Sequence, residues 1–406
     1  MAGFFTNSDI QKIPQRIGNK LPQCGKCGLS KNCISPKMEP TGTGKRKILF
    51  VAEAPGEKED RQGIQLIGDA GIILRQSLKS IGVDLNDCWK TNAVICHPEK
   101  KLEPYMVSCC RPNLLKTIER LKPSVIIILG STALQSLLYK SWKKDVGPLT
   151  RWVGWHIPST EYNCWLCPTY HPSYIIRMRE DPQLIKEFEN HLRSAIGLEN
   201  KKPNPLDIQE LKKEIELIES PRKALPRMQD MSTKKGTLAF DYETSGLKPE
   251  RKEQHIASVS FCLNGEDTFA FPYHRKHKKI LTEILISKNL RKVAANIKYE
   301  DRWSKAIIGC RVKNWYWDTM LMSHMLDNRK QITSLKFQAF VQFGISDYDS
   351  HLHHLLTSKY SNTMNQINKI PIQDLLLYNG LDSLLEYKLM VRQREILKQN
   401  QKEIEK

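Results

Sequence analysis

Residues 47–60 read KILFVAEAPGEKED. The apolar run from Ile48 to Ala52 has the length and continuity of a strand buried on both faces. It stops at Glu53, turns through Ala54-Pro55-Gly56, and runs into the charged tetrad Glu57-Lys58-Glu59-Asp60. Either the chain simply leaves the core here, or Glu53 is held at the rim of a sheet, where reactive groups are often mounted. Outward from this strand, short apolar runs alternate with helix-like periodic segments. AGIILRQSLKSIG (70–82) reads as an amphipathic helix closed by Gly82, CWKTNAVI (88–95) as a strand, and SCCRPNLLKTIERLK (108–122) as a helix. SVIIILG (124–130) is a buried strand, STALQSLL (131–138) a helix with Ser131 near its N-cap, and WLCPTYHPS (165–173) a strand running into a loop. The alternation predicts an α/β domain whose parallel sheet is covered on both faces.

The chain has 406 residues, which is long for one core, and 40% hydrophobic with 26% charged residues is ordinary globular composition. No apolar run approaches the ~20 residues of a bilayer span. The N-terminal MAGFFTNSDIQK lacks the features of a secretory signal, so a cytoplasmic, intracellular protein with no membrane partner is expected. A net charge of +19 favours a nucleic-acid partner over a merely solvated basic surface. Nine of the eleven cysteines precede residue 168. An odd number in a chain without a signal argues against a disulfide framework, and the clustering points to a metal or iron–sulfur centre in the first half.

The first domain is expected over 1–199. Residues 200–234, rich in Pro and charge around one helix, read as a linker, and TLAFDYE (237–243) opens a second domain over 235–406. There IASVSFCLNGEDTFAFPY (256–273) reads as a hairpin turning at Asn264-Gly265, with helices dominating the remainder. Asp241 and Glu243, two apart on a strand, leave the same face, and adjacent carboxylates need cations to stay ionised. NIKYED (296–301) and YNGLDS (378–383) follow, and Tyr378 and Asp382 share one face of a helix.

The ordered set D-x-E, N-x-K-Y-[D/E] and Y-x-x-x-D resembles the DnaQ-like 3′–5′ proofreading exonuclease domain of family A DNA polymerases. The resemblance implies an RNase H-like fold with a mixed sheet and two Mg²⁺ (or Mn²⁺) ions. Asp241, Glu243, Asp382 and Glu300 would hold metal, with Glu300 standing where the family most often has Asp, and Tyr378 would orient the attacking water. Asp301 is expected to point elsewhere, Asp318 to cap a helix, and Asn296 to organise backbone. YHRKHKK (273–279) reads equally as a phosphate grip or a solvated loop, and HLHH (351–354) as structural.

CGKCGLSKNC (24–33) contains a C-x2-C pair, and Cys96 and Cys110 follow with thirteen residues between them. AEAPGEKEDRQGIQLIGDAG (52–71), TNAVICHPEKK (91–101), CRPNLLKTIERLKPSVIIILG (110–130) and TYHPSYIIR (169–177) accompany them in order. These segments resemble family 4 uracil-DNA glycosylases, which implies a three-layer α/β/α fold and a [4Fe–4S] cluster on Cys24, Cys27, Cys96 and Cys110. Cys33 and Cys109 are the alternates, and CWLC (164–167) reads as core thiols because strand alternation parts its cysteines. Carried over residue by residue, Glu53 guides water and stabilises positive sugar character, His171 donates to the departing uracil, and Asn92 reads its edge. Arg177 enters the gap or binds phosphate, and Ser131 opens a helix whose amides hold phosphate. Two departures stand out: Ala52 replaces a Gly, and Leu66 occupies the place of the aromatic ring that stacks on uracil.

The combined expectation is a bifunctional DNA-processing protein acting on uracil-containing DNA, single strands or 3′ ends. It is expected to be the N-terminal part or a truncated relative of a family A polymerase, with a virus among its expected sources and a polymerase domain in the full-length protein. The alternative makes the first domain a non-catalytic DNA- or uracil-binding module serving the exonuclease.

Overall fold

The computed structural model describes residues 21–346, 348–358, 360 and 363–404. The chain divides between Pro205 and Leu206 into two units. In the first, strands β1 (Ile48–Ala52), β2 (Trp89–Asn92), β3 (Val125–Leu129), β4 (Ile157–Ser159) and β5 (Cys164–Thr169) form one sheet in the order β2-β1-β3-β5-β4. All neighbours are parallel except the short edge strand β4. The helices are α1 (Cys24–Cys27), α2 (Glu57–Gln62), α3 (Asp69–Ser80), α4 (Pro104–Leu121), α5 (Ser131–Leu138), α6 (Pro172–Arg177) and α7 (Pro182–Ile196). Strand alternation sends Ile48, Phe50 and Ala52 into one core with Leu74 and Leu78 of α3 and Phe188 and Leu192 of α7. The α5 helix packs on β1 and β3, completing the three layers expected.

The charged tetrad after β1 does not simply leave the core. It forms α2, in which Glu59 and Asp60 are buried. Asp60 accepts from the backbone N–H groups of Ile34 and Ser35, both at 2.9 Å, tying down the segment that follows the first cysteines. Glu59 Oε1 accepts from Ile67 (3.2 Å) and Gly68 (2.9 Å), fixing the loop that carries Leu66. Buried carboxylates persist where backbone amides satisfy them.

The second unit has strands β6 (Ile215–Leu217), β7 (Gly236–Thr244), β8 (Ile256–Leu263), β9 (Asp267–Pro272), β10 (Leu290–Ala294) and β11 (Trp315–Asp318). Its helices are α8 (Ile208–Lys213), α9 (Pro221–Thr233), α10 (Lys278–Ile286), α11 (Ile297–Trp303), α12 (Thr319–Leu326), α13 (Leu335–Phe343), α14 (His353–Leu356) and α15 (Ile372–Ile404). The sheet order is β11-β10-β7-β8-β9-β6, with parallel and antiparallel neighbours mixed. The hairpin turns at Asn264-Gly265, both at positive φ as a tight primed turn requires. Strands β10 and β11 lie in the region expected to be mainly helical.

The linker expectation fails over 206–234. That segment supplies β6, which pairs in parallel with β9, and it buries Leu211, Ile215, Ala224, Met228 and Met231. Gly380 of α15 leaves the space that Ile215 fills, since a Cβ there would lie 2.5 Å from Ile215 Cγ2. Pro and charge here mark the wet faces of short elements, while apolar residues set among them enter the core.

Candidate active sites

In the first unit the candidate residues gather at the C-terminal edge of the parallel strands, the end at which open α/β sheets mount their sites. Glu53 follows β1, Asn92 ends β2, Ser131 follows β3, and His171 follows β5. Glu53 is exposed, and its Oε2 accepts from Thr132 Oγ1 at 2.7 Å. Asn92 is buried, yet its amide makes no hydrogen bond with another described residue. A buried amide left open on both its donor and acceptor is suited to an incoming group carrying both.

His171 caps α6: its Nδ1 accepts from the Ser173 backbone N–H at 3.2 Å and lies 2.8 Å from Ser173 Oγ. With Nδ1 accepting, the neutral ring carries its proton on Nε2. Burial holds the imidazole below its ordinary 6.5, so it is neutral at pH 7. Gly130, at φ +92°, admits His171, because a Cβ there would stand 3.1 Å from the His171 Cβ. Arg177 is exposed and donates to Ser173 Oγ at 3.1 Å, completing a chain from guanidinium to imidazole. Ser131 is the first residue of α5, with Gly130 in the cap position. Leu66 is buried at φ +56° in the same core as Ala52, with its carbonyl held by Arg75 Nη1 at 2.7 Å.

Cys24, Cys27, Cys96, Cys109 and Cys110 line one small cavity with Val94 and Ile95. Cys96 Sγ accepts from the Lys37 N–H at 3.3 Å, and Cys110 Sγ from the Ile95 N–H at 3.4 Å and Asn113 Nδ2 at 3.6 Å. Cys109 instead donates toward Gln23 Oε1 at 3.8 Å. Burial raises the Cys27, Cys96 and Cys110 thiols, Cys96 to about 12, so they ionise only for a strongly electron-accepting partner. Gathered thiols with N–H groups aimed at sulfur fit a thiolate-bound cluster. Cys164 and Cys167 are buried in β5, away from this group, as expected.

In the second unit, Asp241 and Glu243 share a strand face with Ala239, which packs against Leu381, Leu384 and Leu385 of α15. This brings Asp241, Glu243 and Asp382 together, with one oxygen of each within 4.8 Å of the others. Glu300 on α11 is buried but outside that set, and its Oε2 has no hydrogen-bond partner among the described residues. Burial and then the Asp382 charge push Asp241 up to about 7. Burial, then Asp241, drives Glu243 and Glu300 well above the ordinary carboxylate range. A donor set this crowded fits divalent cations, whose charge would restore the ionised forms.

Several contributors carried a weak signal in the sequence or none. Glu386 is buried with an Oε2 unpartnered among the described residues, and it continues the Tyr378–Asp382 spacing by one more helical turn. Lys336 of α13 reaches Tyr378 OH at 2.7 Å and pairs with Asp382, while Tyr348 OH donates to Asp382 Oδ1 at 2.5 Å. A single lysine in an apolar helix gave no hint of this. Asn379 Nδ2 donates to Asp241 Oδ2 at 2.7 Å. Asp318 caps α12 through the Leu321 N–H (2.9 Å) and also holds the amides of Asn296 and Ile297. Asp301 turns to Arg311 and the Val312 N–H, as expected. A cavity of about 510 Å³ opens beside Glu243 and Tyr378, lined also by Leu247, Tyr299 and Leu356.

A family model for the uracil DNA glycosylase superfamily matches residues 40–193. The type-4 uracil-DNA glycosylase of Pyrobaculum aerophilum is 34% identical over 196 residues, covering 47% of this chain and 94% of that protein. The chain's N-terminal unit belongs to the type-4 uracil-DNA glycosylase family. The corresponding Saccharolobus solfataricus protein is 31% identical, over 47% of this chain and 88% of its own length. A 3′–5′ exonuclease family model matches residues 217–397, so this glycosylase-family unit is fused to a DnaQ-like exonuclease domain. A DNA polymerase of Bacillus phage SP01 is 24% identical over 79% of this chain and 37% of its own length, a stretch that crosses both units. Among solved structures, Brucella melitensis NrnC is 17% identical, covering 46% of this chain and 82% of that one, with a TM-score of 0.33.

Proposed function

We propose that the chain excises uracil from DNA with its first unit and degrades DNA from 3′ ends with its second. The observation that carries this reading is that each unit assembles, from residues distant in sequence, the donor set its reaction needs. A flipped nucleotide would enter the space between Glu53, Asn92 and His171. Glu53, oriented by Thr132, stabilises positive charge on the sugar and guides water to it. Neutral His171 donates its Nε2 proton in a hydrogen bond to the departing base, and the open Asn92 amide reads that base's edge. Arg177 and the α5 amides at Ser131 hold phosphate. Cys24, Cys27, Cys96 and Cys110 would hold a [4Fe–4S] cluster, with Cys110 favoured over Cys109 by its N–H···S contacts. Bound there, that cluster would join α1, the loop after β2 and α4 through these thiolates.

In the second unit Asp241, Glu243 and Asp382 would hold a divalent ion, with Glu300 contributing to a second. Two such ions supply an activated water and neutralise charge at the scissile phosphate. Lys336 and Tyr348 fix Asp382, Lys336 also fixes Tyr378, and the Tyr378 hydroxyl orients the attacking water. The cavity beside Glu243 takes the 3′-terminal nucleotide. Likeness to the phage polymerase across both units supports an intracellular role in DNA replication, with a polymerase domain as partner in the full-length protein.

A second reading keeps the first unit as a non-catalytic binding module, and the observation in its favour is aliphatic Leu66 in the stacking position. A uracil-containing oligonucleotide assay in EDTA separates the two. Abasic product in EDTA supports excision, and none at high enzyme concentration leaves only the binding module. Loss of Mg²⁺-dependent shortening in Asp241→Ala tests the exonuclease assignment.

A further inference from the structure

At the other end of the first unit's sheet, where β1, β3 and β5 begin, lies an open concavity of about 690 Å³. Lys45, Lys47, Lys122, Lys201 and Lys202 line it; all five are exposed, and none makes an ion pair among the described residues. Its acidic lining is already engaged or outnumbered. Glu199 is held by Arg46 through two 2.8 Å contacts, leaving Asp87 as the other carboxylate. The walls are pinned: Trp165 Nε1 donates to the Lys201 carbonyl at 2.7 Å, and the Ser124 N–H to the Lys47 carbonyl at 2.8 Å. Lys47 (φ 54°) and Lys122 (φ 48°) occupy left-handed backbone, where Gly or Asn sits more easily. Strained positions that nonetheless carry long cationic side chains point to a use for those charges.

We propose that this concavity is a second DNA-binding surface, taking the phosphate backbone of a strand whose base is handled at the opposite edge. Five unpaired cations around a concave surface match a polyanion that releases counterions on binding. Lys47 and Glu53 flank β1 and lie roughly 20 Å apart at ~3.3 Å per residue. A strand rising ~3.4 Å per nucleotide therefore places at least about six nucleotides between groove and base pocket. Its register with the base pocket rests on the excision reading, whereas the groove contact itself concerns undamaged DNA and is tested without excision.

The test uses the full chain in EDTA with a fluorescent, uracil-free 30-nucleotide strand, comparing wild type with a variant carrying Gln at all five lysines. Affinity at physiological salt is expected to fall at least roughly tenfold, with the log–log salt slope reduced by about 0.7 per lost contact. Unchanged affinity and slope would overturn the proposal. Thermal melting checks the fold; should the fivefold variant melt early, Lys201→Gln with Lys202→Gln, outside any helix or strand, is expected to lower the slope by about 1.4. Excision from an octamer with central uracil should be unchanged, while KM on the 30-mer containing uracil rises. Equal loss on both lengths would place the lysines in the excision site and overturn the proposal, as would lost binding to anionic lipid vesicles with DNA binding retained. If no excision occurs at all, the uracil-free binding result still stands or falls by itself.

Discussion

The two sites handle charge in opposite ways. In the glycosylase-family unit one carboxylate, Glu53, stands exposed with a hydroxyl partner, beside an imidazole that burial keeps neutral. In the exonuclease unit Asp241, Glu243 and Asp382 crowd together, with Glu300 and Glu386 buried nearby and raised chiefly by desolvation. The first arrangement holds its single carboxylate in solvent with a hydrogen-bond partner; the second crowds buried carboxylates that cations would keep ionised. The sharpest way to break this contrast is Asp241→Ala. Removing a carboxylate common to the donor set should lower Mg²⁺-dependent 3′ degradation by roughly a thousandfold or more, with abasic-site formation unchanged. Equal loss of both activities would mean the two units do not act separately.

Glu53→Gln makes the reciprocal change. It keeps the shape and the acceptor for Thr132 but removes the charge that opposes positive sugar character. Excision should fall on the order of 10²–10⁴-fold, the range for a positioned catalytic carboxyl group, with exonuclease rate intact. Single-turnover release of uracil reads the first effect and a labelled 3′-end assay the second.

The contrast also predicts pH dependences of opposite sign. Asp241 is pushed up to about 7 from an ordinary 3.8, so the folded state holds a proton that the unfolded chain releases. Its contribution to stability is full below about pH 4 and lost as pH rises through 7. In EDTA, melting of the exonuclease unit should therefore drop by roughly several degrees between pH 5 and 8, and Mg²⁺ should abolish the drop. His171 is lowered from 6.5, so the unfolded chain binds the extra proton. Its contribution is present above pH 6.5 and lost as pH falls through the folded value, and excision should decline in the same direction. Differential scanning calorimetry in EDTA with and without Mg²⁺, run beside an excision pH profile, checks both signs.

What was legible in the sequence follows the physics of each signal. The parallel sheet was plain because buried strands such as Val125–Leu129 read as unbroken apolar runs. Asp241, Glu243, Tyr378 and Asp382 were plain because i,i+2 and i,i+4 spacings map directly onto faces. Residues 206–234 misled because short elements with one thin buried face share their composition with linkers. Lys336 and Thr132 were invisible because their partners lie 46 and 79 residues away, and nothing local distinguishes a lysine or threonine that closes such a contact.

The smallest effect concerns Leu66, where the first unit departs from its family's stacking ring. Leu66 sits at φ +56° with its carbonyl held by Arg75, and the amides of Ile67 and Gly68 are held by Glu59. The loop is thus fixed by contacts that do not involve the Leu66 side chain. Gly71 of α3 packs closely against the loop: a Cβ there would stand 1.8 Å from the Leu66 carbonyl oxygen, so any larger residue at 71 would displace it. Leu66→Phe therefore changes the side chain while leaving intact the hydrogen bonds that hold its backbone. Base–aromatic stacking contributes roughly 1–3 kcal/mol per base, and a buried leucine already supplies part of that contact. The expected gain is a roughly five- to tenfold lower KM for uracil-containing DNA, with kcat little changed. Ala52→Gly, which reverses the other departure from the family pattern, combined with Leu66→Phe should exceed Leu66→Phe alone. If neither variant moves KM, Leu66 does not face the base, and the second reading of this unit as a binding module loses the observation that favoured it.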